Sequence, residues 1–288
     1  EPNNNNSASE GNGENVDWDN MEAELTIYGH MYNGDWEDRF KTHLEEKFPN
    51  YTFNFISAYD EETGLTVEEL VATGTKIDIY TGAAGVMQQR FQPVGLEYPM
   101  NELMEKHGID PESFEAPYLD SSTIDGNIYM LPISNSGFVM YYNKALFDRF
   151  GLDHPWDGMT WDEAIALGNE FTRNDGKQYV GLWYSPKHIL RVNQKSLGFV
   201  DPETNEPTID TPEWNNLITT LFQDPMKDPG LQERAKEKYF GHDDYRNDDV
   251  VGMYVYSTGW LRNHQAELPP DWGMVAVPTF DGDGVGVQ

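Results

Sequence analysis

The chain has 288 residues, no cysteine, and 50 acidic against 19 basic side chains, for a formal net charge of −31. That length allows two domains with cores large enough to fold unaided, and the lack of cysteine excludes the small disulfide-held classes. So negative a surface repels phosphate backbones, which argues against nucleic acid as a partner, and it favours a soluble monomer. No apolar run reaches the roughly 20 residues that span a bilayer.

Residues 1–23, rich in Asn, Glu, Gly and Ser, have almost nothing to bury and read as a disordered tether. Leu25–Tyr28 is a short strand. From Asp35 the residues Trp36, Phe40, Leu44 and Phe48 fall on one stripe of a helix that Pro49-Asn50 ends. Tyr51–Ile56 is a second strand, Val67–Ala72 a helix stopped by Gly74, and Ile77–Tyr80 a third strand. Strand and helix alternating in this way predict a parallel sheet with helices on its faces.

The second half repeats the class without repeating the sequence. Gly137–Tyr142 is an apolar strand, followed by the helix Lys144–Phe150 and its stop at Gly151. Thr160 is a good N-cap for a helix to about Phe171, with Glu163 at the capping-box position. Gly181–Tyr184 is a short strand, Asp210 or Thr211 caps a helix through Leu221, and Leu231–Tyr239 is one more. Val250–Tyr256 is a strand, Trp260–Ala266 a short helix and Trp272–Val277 a final strand. The result is two α/β units in succession.

Several of these segments, taken in order, resemble a known family. Asp125-Gly126-Asn127-Ile128-Tyr129-Met130-Leu131-Pro132 is followed by Tyr142-Asn143-Lys144-Ala145-Leu146-Phe147, then Gly151-Leu152, Pro155 and Thr160-Trp161-Asp162-Glu163. This succession is similar to that of the maltodextrin-binding-protein-like extracellular solute-binding proteins. Gly74 with Ile77-Asp78-Ile79 upstream, and Gly252-Met253 through Gly259-Trp260 downstream, extend the resemblance. Two positions depart from the pattern: Ile77 replaces a proline and Gly252 an alanine.

The resemblance implies a periplasmic-binding-protein-like (type II) α/β fold, with two lobes joined by hinge strands. Residues 24–131 with 279–288 would form one lobe and 132–278 the other, with Pro132-Ile133-Ser134 and Ala276-Val277-Pro278 as hinges. It also implies further chain after Gln288, a sugar or oligosaccharide ligand, permease subunits of an ABC-type importer as partners, and no cofactor. It places the protein outside the cell, on the membrane's outer face through an N-terminal lipid anchor.

Ligands of open α/β sheets bind beyond the carboxyl ends of strands. That rule selects Gly29–Asp35, Thr81–Gly85, Ser134–Ser136 and the segments around Trp183-Tyr184 and Tyr254–Trp260. Sugars present polar rims and apolar C–H faces, so a receptor needs aromatic platforms ringed by polar groups. Tyr32, Asn33, Asp35, Trp183, Tyr184, Tyr256 and Trp260 supply both kinds. Trp260, after Gly259, is the expected stacking platform, whereas Trp161 reads as helix packing. By the resemblance, Ser136 replaces a ligand-contacting carboxylate and Gly82-Ala83 an aromatic; with Ser134 they complete the expected set, and maltodextrin is not implied.

Other chemistries find no support. No G-x-S-x-G or H-E-x-x-H occurs, and among 50 acids a glycosidase pair has no distinguishing mark. The Asp243-Asp244 and Asp248-Asp249 run reads as a solvated loop rather than a metal site. Tyr141 and Tyr142, adjacent on a strand, face opposite sides and make no paired-tyrosine site. A polyamine or peptide receptor is the alternative to sugar, and a secreted glycoside-active enzyme a more distant one.

Overall fold

A computed structural model describes residues 20–60, 64–201, 203–237, 244–245 and 249–281. The expected tether thus lies outside the described residues except for 20–23, and Ala23 already opens the first strand. The chain divides into two compact units, Glu1–Ile133 and Ser134–Gln288.

In the first unit β1 (Ala23–Gly29), β2 (Tyr51–Ser57) and β3 (Ile79–Thr81) form a parallel sheet in the order β2-β1-β3. The helix after β1 runs through Asn33–Trp36, a wider π turn at Glu37–Lys41, and Thr42–Lys47. Its stripe holds it to the sheet: Trp36, Phe40 and Leu44 pack with Ile27, Phe53 and Phe55, and the Trp36 and Phe55 rings stack at 4.8 Å. Phe48 leaves the stripe to cap the helix and meets Tyr51 at 5.0 Å. The helix Val67–Thr73 opens on a Thr66–Glu69 capping box and stops at Gly74, whose φ of 70° suits a residue without Cβ. Tyr28, Val67, Leu70, Met87 and Phe91 close the core on this side. The Asp125-Gly126 segment is a hairpin turn with φ of 50° and 79°, joining β4 (Thr123–Ile124) to β5 (Asn127–Ile128).

The second unit carries a mixed sheet in the order β10-β6-β9-β8-β7, where β6 is Phe138–Asn143, β7 Arg173–Asn174, β8 Gln178–Tyr184, β9 Val251–Ser257 and β10 Trp272–Ala276. Only β8 and β9 run parallel. The helix Trp161–Phe171 has the expected capping box at Thr160 and Glu163. It lies directly on the sheet because Gly168 and Gly181 face each other; a Cβ on Gly181 would overlap the Gly168 backbone. Trp161 is core, its indole N–H donating to Gln194 at 2.9 Å. Tyr141 and Tyr142 do face opposite ways: the first meets Tyr245, Trp260 and Trp272, the second Phe147 and His154.

Two expectations differ from the structure here. Thr279, placed with the first lobe by resemblance, belongs to the second unit: its N–H donates to the Met159 carbonyl and its carbonyl accepts from the Trp161 N–H. Asp244 is not a solvated acid but a buried one, held by the Arg234 guanidinium at 2.6 Å. A buried carboxylate needs such a partner to remain charged. Asp243 and Asp248 lie outside the described residues.

Candidate functional site

In the first unit the carboxyl ends of the three parallel strands are tied to one another. The His30 N–H donates to the Thr81 carbonyl at 3.0 Å, and the Ala58 N–H to the Gly29 carbonyl at 2.8 Å. The buried Ser57 hydroxyl donates to the Met31 carbonyl at 2.6 Å and accepts from the Tyr59 N–H at 3.1 Å. On this frame Tyr32, 60% exposed, and Tyr59, 48% exposed, meet with ring centroids 5.2 Å apart. His30 sits edge-on to Tyr28, Tyr59 and Tyr80 at 5.7–5.8 Å. Its Nδ1 is 3.3 Å from the Tyr80 hydroxyl. Burial, aided by the Arg90 charge, holds the imidazole below its ordinary pKa, and burial raises the Tyr80 phenol above its own. Asn33 donates to Asp60 at 3.1 Å, and Asp35 lies in the first turn of the following helix.

Gly82 and Ala83 are exposed at the end of β3. Gly82 has a steric reason to be glycine, since a Cβ there would run into the Tyr80 hydroxyl and ring. The Tyr80 hydroxyl also donates to the Ala83 carbonyl at 3.4 Å. Thus Tyr32, Asn33, Asp35, Gly82 and Ala83 lie along one edge, as their places after strands required. Sequence reasoning passed over His30, Tyr59, Tyr80 and Asp60. Applying the strand-end rule to β2, whose carboxyl end is Ser57, would have found Tyr59 and Asp60.

In the second unit the carboxyl ends of β8 and β9 lie with the amino end of β6. The Thr258 N–H donates to the Gly137 carbonyl at 2.9 Å, and the Gly259 N–H to the Ser257 hydroxyl at 3.1 Å. A Cβ on Gly259 would stand 3.4 Å from the hydroxyls of both Ser136 and Ser257. Half-buried Tyr256 meets Phe138 at 6.3 Å and His188 at 5.2 Å, and His188 Nδ1 is 2.8 Å from the Ser185 hydroxyl. Trp183 is half-buried, and Ser134 and Ser136 are exposed.

Two expected site residues are core instead. Tyr184 is 5% exposed, meets Trp161 and Phe222, and donates its hydroxyl to the Leu221 carbonyl. Trp260 is 7% exposed and packs against Tyr141, Tyr254, Tyr256 and His264 at 5.4–6.0 Å. A helix starting at Thr258 directs the residue at its third position back onto the sheet, where the tyrosines of β6 and β9 receive it. His188, Ser185 and Phe138 take its place among the partly exposed groups. Among the described residues no group of three or more His, Asp or Glu side chains is placed to hold a metal ion, and no helix is long and apolar enough to cross a membrane.

Residues 32–288 match the family described as bacterial extracellular solute-binding protein. A binding protein of Brucella abortus is 27% identical over 271 residues, 85% of this chain and 60% of that protein. The arabinooligosaccharide-binding protein of Halalkalibacterium halodurans is 27% identical over 172 residues, 56% of this chain and 37% of that one. The chain therefore spans less than two thirds of the length of these relatives. A solved ABC substrate-binding protein of Listeria monocytogenes, in complex with cycloalternan, superposes with a TM-score of 0.74 at 21% identity, covering 91% of this chain and 68% of that one. The shared architecture is the type II periplasmic-binding-protein α/β fold. By the match over nearly its whole length, this chain belongs to the family of bacterial extracellular solute-binding proteins.

Proposed function

We propose that this chain is the ligand-holding part of the substrate-binding component of an ABC-type importer, and that its ligand is a sugar or oligosaccharide. The observation that carries this is the Tyr32–Tyr59 pair at the carboxyl ends of β1 and β2. Exposed aromatic faces beside Asn33 and Asp60 suit a molecule with C–H faces and hydroxyl rims. Serines and Tyr256 at the strand ends of the second unit offer the same combination. The solute-binding family also supports permease subunits as partners; a lipid anchor on the membrane's outer face is our further proposal, and labelling the cellular protein with a fatty acid tests it.

The test of binding is the melting temperature of the protein with a panel of carbohydrates, polyamines and short peptides. A ligand that binds only the native state raises it, by about 2.7 kcal/mol of stability at a hundred times Kd. A rise with a carbohydrate supports the proposal; a rise with a polyamine or peptide alone overturns it.

A further inference from the structure

We infer that the first unit's binding edge selects uncharged carbohydrate over anionic sugars such as sugar phosphates and uronates, an inference that rests on the carbohydrate reading above. The three segments that form the edge, residues 29–36, 57–60 and 79–86, contain no lysine or arginine. Asp60 stands at the edge, bonded to Asn33, and Asp35 lies in the adjoining helical turn.

Of this unit's six lysines and arginines, Arg39, Lys41, Lys76 and Arg90 have partners of their own, and of these the Arg90 charge reaches His30 at the edge. Arg90 holds Glu68 at 2.7 Å, Lys41 holds Glu37 at 3.2 Å, and Lys76 holds Asp78 at 2.5 Å, just before β3. The Arg39 guanidinium lies over the Phe40 ring. A helix amino terminus would by itself attract an anion, but the turn beginning at Asn33 supplies its own carboxylate.

The chemistry of the donors sharpens the point. A sugar hydroxyl donates to a carboxylate in a charge-assisted bond. A phosphate or uronate oxygen can only accept, so it meets an acceptor of the same sign. Neutral sugars therefore gain from Asp60 and Asp35 what anionic ones lose.

The experiment titrates the whole chain calorimetrically at low ionic strength with matched probes: galactobiose beside digalacturonate, maltose beside maltose 1-phosphate, and glycerol beside sn-glycerol 3-phosphate. The expected result is a neutral probe bound at least about tenfold more tightly than its anionic counterpart, or 1.4 kcal/mol. Asp60→Asn, and independently Asp35→Asn, should narrow that ratio while leaving the melting temperature of the free protein in place. An anionic probe bound as tightly as its neutral partner, or a ratio untouched in both variants, overturns the inference and leaves the carbohydrate reading intact. Binding of none of the probes, together with failure of the whole carbohydrate panel, removes both.

Discussion

Replacing Trp260 by alanine separates a packing role from a ligand-stacking role. The indole is more than nine-tenths buried and touches the rings of Tyr141, Tyr254, Tyr256 and His264. Removing a buried tryptophan costs about 3–5 kcal/mol, from lost transfer energy and an unfilled cavity. That is a large share of the ~5–15 kcal/mol that holds a domain folded. For a unit of about 150 residues each kcal/mol moves Tm by roughly 2–4 °C, so a fall of ~6–20 °C is expected. Scanning calorimetry of the unliganded protein measures it, and Trp260→Phe should recover much of the loss by retaining ring contacts. If Trp260→Ala melts within about 2 °C of the parent yet loses its ligand, the indole faces the ligand and the account of this core is wrong.

Three further outcomes follow from the same geometry. Tyr59→Ala, at a half-exposed ring, should weaken sugar binding by at least about tenfold while shifting the unliganded Tm little; unchanged affinity in calorimetric titration would place the site elsewhere. Gly181→Ala should cost about 3 kcal/mol or more in denaturant unfolding, because its Cβ meets the Gly168 backbone. Gly34→Ala, with open space around it, should be harmless, and equal effects at the two sites would refute the close helix–sheet contact. Finally, burial depresses the His30 pKa below 6.5, so below pH 6.5 the unfolded chain takes up the proton before the folded one does. Stability is then lost as pH falls from 6.5 to the depressed value and levels off below it. In His30→Gln, Tm should depend less steeply on pH between 7.5 and 5.5, and an unaltered slope contradicts this.

The strands and helices were legible because each has a local cause. The Trp36–Phe40–Leu44 stripe marked the first helix, and Thr160 with Glu163 marked the start of another. What lacked a local cause was missed. The Asp244–Arg234 pair joins residues ten apart in the chain, and nothing in an acidic run announces that one member is buried. Trp260 and Tyr184 follow or end strands just as Tyr32 and Tyr59 do. Which of these aromatics turns inward depends on whether the opposite layer offers a partner, as Tyr141 and Tyr254 do for Trp260. Asn33 and Asp35 could be placed at an edge because strand order in a parallel sheet puts them there, and Tyr59 was passed over because β2 was not treated like its neighbours.

The location of the site is tested most directly by hydrogen–deuterium exchange of the whole chain, with and without a carbohydrate that raises its melting temperature. Protection should concentrate in residues 29–35, 57–60 and 80–84 of the first unit and 183–188 and 256–259 of the second. Protection centred instead on the helix Trp161–Phe171 and on Leu231, with the strand ends unchanged, would contradict the central claim that the ligand is held at strand ends.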